Sequence, residues 1–256
     1  MGDADMKERV VSWFSCGAAS AVATKLSNPD VIAYCEVKEE HPDNKRFLKD
    51  CEQWFGKEII VLGNDEYERS IYNVFDRRKY IAGVAGAPCT LLLKKEVRKQ
   101  FERLTDIQVF GYTVEEQGRL DRFIDANNDV NVIAPLIDQG LTKSDCLAMV
   151  QDAGIKLPEM YKYFNNNNCV GCCKAQSPGY WLLIKEIYPE MFEKMNSYEK
   201  KYNVRLLKYT KDGEEYRIRL DEIPSHIKPK DDTVDIQCGI FCEMSKSLYE
   251  AEHERD

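Results

Sequence analysis

The amino-acid sequence predicts an α/β protein built on a doubly wound parallel sheet. The first observation is an alternation of short β-branched runs with amphipathic segments, in the order strand, helix, strand, helix, strand, over the first 62 residues. This alternation is typical of a parallel sheet with helices on both of its faces. The second observation is that 43% of the 256 residues are hydrophobic and 11% are aromatic, which is enough to form a sizeable core.

The elements of the first part follow from local sequence patterns. A run of β-branched and aromatic residues predicts a buried strand, and the small residues after it lead into a helix. Two further strands and one further helix follow along the chain. The expected elements are a strand over 10–14, a helix over 19–26, a strand over 31–37, a helix over 45–55 and a strand over 58–62.

The middle of the chain continues the alternation after a turn-rich stretch over 83–88. A helix is expected over 91–104, followed by strands over 107–112 and 130–136. A further helix is expected over 142–154, where Thr142 is a candidate N-cap and Gly154 marks the end.

The composition changes from about residue 157 onward. This part holds two cysteine clusters, an aromatic helix over 179–195, and two polar strands over 204–209 and 215–220. Asp212-Gly213 between those strands is a hairpin turn signal. We therefore expect a nucleotide-binding α/β domain over 8–140 and a helical, cysteine-rich region with a small β-hairpin over 141–256.

Charge and cysteine content exclude several classes of protein. There are 36 Lys and Arg against 44 Asp and Glu, giving a net charge of −8, which argues against broad nonspecific binding to nucleic acid. No run of about 18 apolar residues exists, and the first residues are acidic rather than those of a signal peptide. We therefore expect a cytoplasmic protein with no membrane partner. Ten cysteines in a reducing compartment indicate metal ligation, catalysis or packing rather than a disulfide framework.

The loop after the first strand is the first candidate binding site. Its residues are Ser15, Cys16, Gly17, Ala18, Ala19 and Ser20. Such small side chains let backbone N–H groups at a helix start close around a phosphate, and the two serines could add hydroxyl donors. The loop is neither a Walker loop nor a GxGxxG dinucleotide loop. A tight strand-to-helix turn with no ligand is the alternative interpretation.

Several motifs in order resemble those of the PP-loop ATP pyrophosphatases, the adenine nucleotide α-hydrolase-like proteins, and within them the phosphoadenylyl-sulfate (PAPS) reductase branch. The loop SCGAAS resembles the family's SGGxDS. The further segments with a counterpart in that branch are 41–44 (HPDN), Cys89 with Lys94 and Lys95, Gly111 with Glu116 and Arg119, 132–136, and Cys169 with Cys172.

The resemblance implies binding of ATP or of an adenylyl sulfate-type nucleotide at the loop. Lys95, Glu116 and Arg119 become the catalytic candidates, and Lys94 and Arg122 are further phosphate partners, although a solvated helix face is the alternative for each basic residue. The loop departs from the family at two positions, since Cys16 replaces a glycine and Ala19 replaces an aspartate. Because alanine cannot help to hold Mg²⁺, Glu36 or Glu116 would have to substitute, or pyrophosphate cleavage is lost.

Two cysteine clusters could converge on a metal centre. Cys169-x-x-Cys172-Cys173 and Cys238-x-x-x-Cys242 have ligand-like spacings, and the resemblance adds Cys89. Two ligand sets remain open: Cys89 with Cys169 and Cys172, or the two later pairs together. A [4Fe–4S] cluster is the first expectation and zinc the second, with Cys173 as a spare or fourth ligand. Of the other cysteines, Cys35, Cys51 and Cys146 read as core residues and Cys16 as a small loop side chain.

The expected activity is adenylation of a substrate for sulfur transfer by an ATP-binding iron–sulfur protein. A sulfonucleotide reductase is the first alternative, weakened because the cysteines in QCGIFCEM have no neighbouring histidine. A nucleotide-binding protein without catalysis, holding structural zinc, is the second. The expected partners are a small-molecule nucleotide, a nucleic-acid or nucleobase substrate, and a second copy of the chain in a homodimer. A nucleobase could stack on Tyr180 and Trp181. Packing in the core or in an interface is the alternative interpretation of these two aromatic residues.

Overall fold

A computed structural model of the chain describes residues 8–83 and 86–231. The chain divides into two compact units, each assembled from separate stretches of sequence. Unit 1 comprises the described residues up to Glu36 together with Pro42–Gly63 and Val97–Lys162. Unit 2 comprises Val37–His41, Asn64–Glu96 and the described residues from Tyr163 onward.

Unit 1 contains a five-stranded parallel sheet, as the sequence predicts. Its strands are β1 (Val10–Phe14), β2 (Val31–Cys35), β3 (Ile60–Leu62), β4 (Ile107–Val109) and β5 (Asn131–Ile133). The strand order is β3-β2-β1-β4-β5, and every neighbouring pair is parallel. The sheet and its helices are compatible with a doubly wound α/β fold. The order reverses at β1, so the connections after β1 and β4 emerge beside each other at the carboxyl edge.

The helices of unit 1 pack around this sheet. Apolar side chains of α1 contact the sheet and also α8, and both helices contribute to one core with Phe14, Phe47 and Leu136. Thr142 caps α8 through the Asp145 amide, as the sequence predicts. The helices lying wholly in this unit are α1 (Ala18–Ser27), α2 (Asn44–Phe55), α6 (Gln117–Ala126), α7 (Pro135–Asp138) and α8 (Lys143–Asp152).

Unit 2 consists of helices and a small hairpin. Strands β6 (Leu207–Lys211) and β7 (Glu214–Ile218) are antiparallel, and Lys211 pairs with Glu214. The two residues between them, Asp212 and Gly213, have φ values of 52° and 83°, which fits the hairpin turn expected from Asp-Gly. The helices of this unit are α3 (Ile71–Arg78), α4 (Pro88–Thr90), a π-helical turn (Leu91–Lys95), α9 (Pro178–Ile187) and α10 (Pro189–Tyr202).

Several predicted bounds differ from the structure by a few residues, and three of the differences have an identifiable cause. The helix expected over 91–104 starts earlier, passes through the π-helical turn and ends as α5 (Glu96–Phe101). The fifth strand ends at Ile133, because Pro135 opens α7 and removes a ladder donor. The single helix expected over 179–195 is two helices, because Tyr188 adopts a non-helical conformation before Pro189.

None of the helices in the described part of the chain is long and apolar enough to cross a membrane.

Candidate functional sites

The loop between β1 and α1 has the conformation of a helix start with one strained residue. Gly17 is the N-cap of α1, with an extended backbone, and Cys16 before it has a φ of 55°. This left-handed conformation is one that glycine adopts without strain, whereas other residues rarely do. Cys16 is therefore held in a backbone conformation that favours glycine.

The two serine hydroxyls of the loop bind the loop itself. Ser20 Oγ accepts hydrogen bonds from the Ser15 amide at 3.1 Å and from Ser15 Oγ at 3.0 Å, and it donates to the Gly17 carbonyl at 2.9 Å. The amides of Gly17 and Ala19 have no acceptor among the described residues, as is usual for a helix start. The serines therefore hold the shape of the loop, and backbone amides are its available donors.

The segment after β4 lies against the start of α1. A side-chain carbon added to Gly111 would lie 2.9 Å from Ser20 Cα, so only glycine fits at this position. This contact joins the two connections that leave the sheet at its switch point, where ligands of open α/β sheets usually bind. Glu36 directly follows β2 and so lies at the same edge of the sheet.

Glu116 and Arg119, two of the catalytic candidates, form an ion pair with each other. Glu116 also accepts a hydrogen bond from the Thr113 amide at 3.2 Å, and the Arg119 guanidinium lies over the Tyr112 ring at 5.0 Å from its centroid. Both side chains are about four-fifths buried. The structure therefore places them after β4 as a pair that stabilises a helix start.

Lys95, the third catalytic candidate, lies in unit 2 at the end of the π-helical turn. In this turn the Glu96 amide donates to the Leu91 carbonyl, five residues back. Lys94 beside it binds Glu40, with Nζ 3.1 Å from Oε1, and both side chains are largely buried. π-Helical turns are rare and are frequently found at functional sites.

Four buried cysteines of unit 2 lie close together. Cys89 Sγ lies 3.9 Å from Cys173 Sγ, and the Cys173 thiol is also hydrogen-bonded to Cys172. Cys169 is near enough to interact electrostatically with Cys172 and Cys89. The structure therefore brings together the set Cys89, Cys169 and Cys172, and it adds Cys173 as a member; we refer to these four residues as the thiol cluster.

The thiols of this cluster differ in acidity. The hydrogen bond from Cys173 lowers the pKa of Cys89 against the opposing effect of burial, and Lys174 and Lys94 act in the same direction. Contacts with Cys172 and Cys89 raise the pKa of Cys173, and burial raises that of Cys169. Among Cys89, Cys169 and Cys173, Cys89 is therefore the thiol most readily deprotonated, and thiolates are the form that binds metals.

The backbone that carries the cluster is held from several sides. Tyr180 Oη accepts a hydrogen bond from the Cys172 amide at 3.2 Å, and Trp181 Nε1 donates to the Ala175 carbonyl at 2.7 Å. Gly171 has a φ of 70° and lies against the Trp181 ring, where a larger residue would be strained. The aromatic pair is buried, so its observed role is support of this loop, as the packing interpretation predicts.

The donor set of the cluster fits a thiolate-bound metal. Two thiolates on one tetrahedral zinc ion lie about 3.8 Å apart, close to the 3.9 Å between Cys89 and Cys173. Within the described part of the chain, no three His, Cys, Asp or Glu side chains are already arranged to hold a metal ion. Cys238 and Cys242, the later pair of candidate ligands, lie outside the described residues.

The remaining cysteines belong to the core, as predicted. Cys35, Cys51 and Cys146 are buried, and burial raises the pKa of Cys51 and brings that of Cys146 to about 12. Cys16 is also fully buried, and its Sγ lies 3.8 Å from the Asn44 carbonyl oxygen. These thiols are suited to packing rather than chemistry.

Two site residues were not predicted by the sequence patterns. Tyr161 places its hydroxyl 3.1 Å from the Ala18 nitrogen at the start of α1, and Glu40 pairs with Lys94 beside the thiol cluster. Neither residue belongs to a recognisable motif. A scan against protein-family models finds no match to this chain, and a search of curated proteins likewise finds none.

Proposed function

We propose that this chain binds the phosphates of ATP or of an adenylyl sulfate-type nucleotide at the Ser15–Ser20 loop. The observation that carries the proposal is the position of this loop, at the carboxyl end of β1 where the strand order reverses. Its amides at the start of α1 suit an anion, because the helix dipole adds to their partial positive charge. The resemblance of the loop to the PP-loop family supports adenine nucleotides as the ligand class.

The proposed reaction is adenylation of a substrate for sulfur transfer. A substrate oxygen would attack the α-phosphorus and form a new P–O bond, while the bond to pyrophosphate breaks and that group leaves. The loop amides would stabilise the negative charge on the phosphates. Glu36 follows β2 at this edge and is the carboxylate that we assign to a Mg²⁺ ion, whereas Glu116 forms an ion pair with Arg119. Ala19 provides no carboxylate.

The thiol cluster extends the proposal to a metal centre. Cys89, Cys169, Cys172 and Cys173 would hold a [4Fe–4S] cluster or a zinc ion as thiolates. When bound, an iron–sulfur cluster would supply a site for a sulfur donor. The support from this chain is the burial of all four thiols, the lowered pKa of Cys89 and the two lysines that act on it.

A second candidate function is a nucleotide-binding protein that performs no catalysis and holds structural zinc. Two observations favour it: the Cys89–Cys173 separation fits two thiolates on one zinc ion, and Ala19 stands where the family has its aspartate. The sulfonucleotide reductase, our other alternative, would release sulfite from adenylyl sulfate with a thiol donor.

Product analysis separates these functions. Anaerobically purified full-length protein would be incubated with Mg²⁺ and ATP, or with adenylyl sulfate and a dithiol, while pyrophosphate and sulfite are measured. Because adenylation needs an acceptor, candidate RNAs and small thiolation substrates would be included. Pyrophosphate that depends on the acceptor supports adenylation, whereas sulfite supports the reductase. If neither product forms, Ala19→Asp tests whether catalysis was lost at that position, since a gain of pyrophosphate release would support the second candidate.

A further inference from the structure

The hydroxyl of Tyr161 lies at the point where the Ser15–Ser20 loop becomes α1. It accepts a hydrogen bond from the Ala18 amide at 3.1 Å. A side-chain carbon on Gly17 would lie 3.4 Å from the same oxygen, so the hydroxyl also faces the N-cap residue. All three residues belong to unit 1. Tyr161 is therefore in contact with the backbone donors that the proposed nucleotide site uses.

The proton of this hydroxyl has no acceptor among the described residues. Because Tyr161 Oη accepts from the Ala18 amide, its own O–H must point in another direction. Burial raises the pKa of the Tyr161 hydroxyl, so it keeps its proton at neutral pH. Tyr161 is partly buried against the core of unit 1, and polar groups in such positions normally have a hydrogen-bond partner. The O–H is thus available to an anionic group at the loop.

The segment that carries Tyr161 is braced by the start of α2. Arg46 donates to the carbonyls of Lys156 at 2.9 Å and Leu157 at 3.2 Å, and Asp43 accepts from the Glu159 amide at 3.0 Å. Arg46 and Asp43 also form an ion pair of 2.7 Å with each other. This brace fixes the turn containing Tyr161 before any ligand binds. Preorganised donors bind more tightly because less conformational freedom is lost.

We propose that Tyr161 is a phosphate-binding residue of the nucleotide site, in which its hydroxyl donates to a phosphate oxygen while still accepting from the Ala18 amide. The inference rests on the proposed function and adds a residue outside the loop to that site. It also gives a role to the segment His41-Pro42-Asp43-Asn44, which contains the Asp43 of the brace.

An arrangement in which the Tyr161 hydroxyl competes with the phosphate predicts the opposite change in nucleotide affinity. If the hydroxyl only blocked the Ala18 amide, a phosphate would have to displace it, and its removal would strengthen binding. Tyr161→Phe separates the two arrangements, because it removes one oxygen and keeps the ring that packs in the core. Tyr163→Phe is the matched control, since Tyr163 is an exposed tyrosine two positions later in the chain.

The experiment is a calorimetric titration of the full-length wild type and both variants with ATP and Mg²⁺, after thermal unfolding has shown that all three are folded. We expect Tyr161→Phe to raise the Kd for ATP by about 10-fold, the loss of one hydrogen bond to a charged group. Tyr163→Phe should leave the Kd unchanged. An unchanged or lower Kd for Tyr161→Phe would overturn this inference alone. If the wild type binds neither ATP nor, in a parallel titration, adenylyl sulfate, the proposed function is overturned and this inference with it.

Discussion

The Sγ atoms of Cys89 and Cys173 lie 3.9 Å apart, although 84 residues separate them in the sequence. Cys89 is placed by the short helix before the π-helical turn, and Cys173 by the loop before α9. Two buried thiols from distant parts of unit 2 thus meet beside Cys172. Thiols gathered in this way suit a metal ion better than packing alone, because each can become a thiolate ligand.

Removal of Cys89 should therefore remove metal from the protein. We expect Cys89→Ala to retain less than about half of the wild-type metal, since each lost thiolate weakens the whole site. Cys146→Ala is the control, because it removes a buried thiol that belongs to the core of unit 1. Iron, sulfide and zinc would be quantified after anaerobic purification. Equal metal content in the two variants would contradict the assignment.

The hydroxyl of Ser20 should stabilise the loop more than that of Ser15. Ser20→Ala leaves the Ser15 amide without its acceptor, whereas Ser15→Ala removes only a bond between two hydroxyls. We expect Ser20→Ala to lower the free energy of unfolding by about 1–2 kcal/mol and Ser15→Ala by less than about 1 kcal/mol. Urea denaturation measures both. Similar losses in the two variants would show that Ser20 does not organise the loop.

Because Gly111 lies against Ser20, a methyl group added at position 111 should destabilise the fold. The same change at Gly118 is the control. Gly111→Ala forces the segment after β4 away from the start of α1, and we expect a loss of about 1–3 kcal/mol in stability. Gly118→Ala adds the same methyl group to an exposed position of α6, where the nearest atom outside its own helix backbone is an Arg122 nitrogen at 3.7 Å. This change should be neutral or stabilise by up to about 1 kcal/mol. A stable Gly111→Ala protein would argue against the close approach.

Glu199 should make stability fall as the pH rises. Its carboxylate accepts hydrogen bonds from the Leu206 and Leu220 amides, but burial outweighs them and raises its pKa to about 7. The folded protein therefore binds more protons than the unfolded chain between about pH 4.5 and 7. The stability contributed by protonated Glu199 is present below this range and is lost across it, by up to roughly 3 kcal/mol.

Glu199→Gln tests this dependence, because an amide does not titrate. Urea denaturation at pH 5 and pH 8 should give a decrease in stability for the wild type that is absent or smaller in Glu199→Gln. Glu193→Gln, an exposed position on the same helix, should keep the wild-type slope. If the Glu199→Gln slope equals that of the wild type, Glu199 does not titrate in this range.

Sequence patterns predict the elements that depend only on residues close together in the sequence. The strand over 10–14 was predicted with the observed bounds, because β-branched and aromatic residues fill it and small residues follow it. Thr142 was predicted as an N-cap because its hydroxyl needs only the amide of Asp145, three residues on. The break at Tyr188 is not predicted by the pattern although Pro189 is visible in the sequence, because apolar and aromatic residues recur at helical spacing on both sides of the proline.

The sites depend on contacts that no local pattern contains. Tyr161 meets Ala18 across 143 residues, and the two residues share no motif that could pair them. In the thiol cluster, the spacing Cys169-x-x-Cys172 indicates these two cysteines as metal ligands. The structure adds the adjacent Cys173, because this residue contacts Cys89. Which of two neighbouring thiols faces a distant one depends on the loop conformation, here set by Gly171 and the Trp181 ring.

The most direct test of the central claim is calorimetric titration of the anaerobically purified full-length protein with ATP and with adenylyl sulfate, each in the presence of Mg²⁺. Ser20→Ala is the loop variant, and Gly118→Ala, which is exposed on α6, is the control. We predict that the wild type and Gly118→Ala bind at least one of the two nucleotides with the same Kd, and that Ser20→Ala binds it more weakly. Absence of binding of both nucleotides to the wild type, or equal binding by Ser20→Ala, would contradict the assignment of the Ser15–Ser20 loop as a nucleotide site.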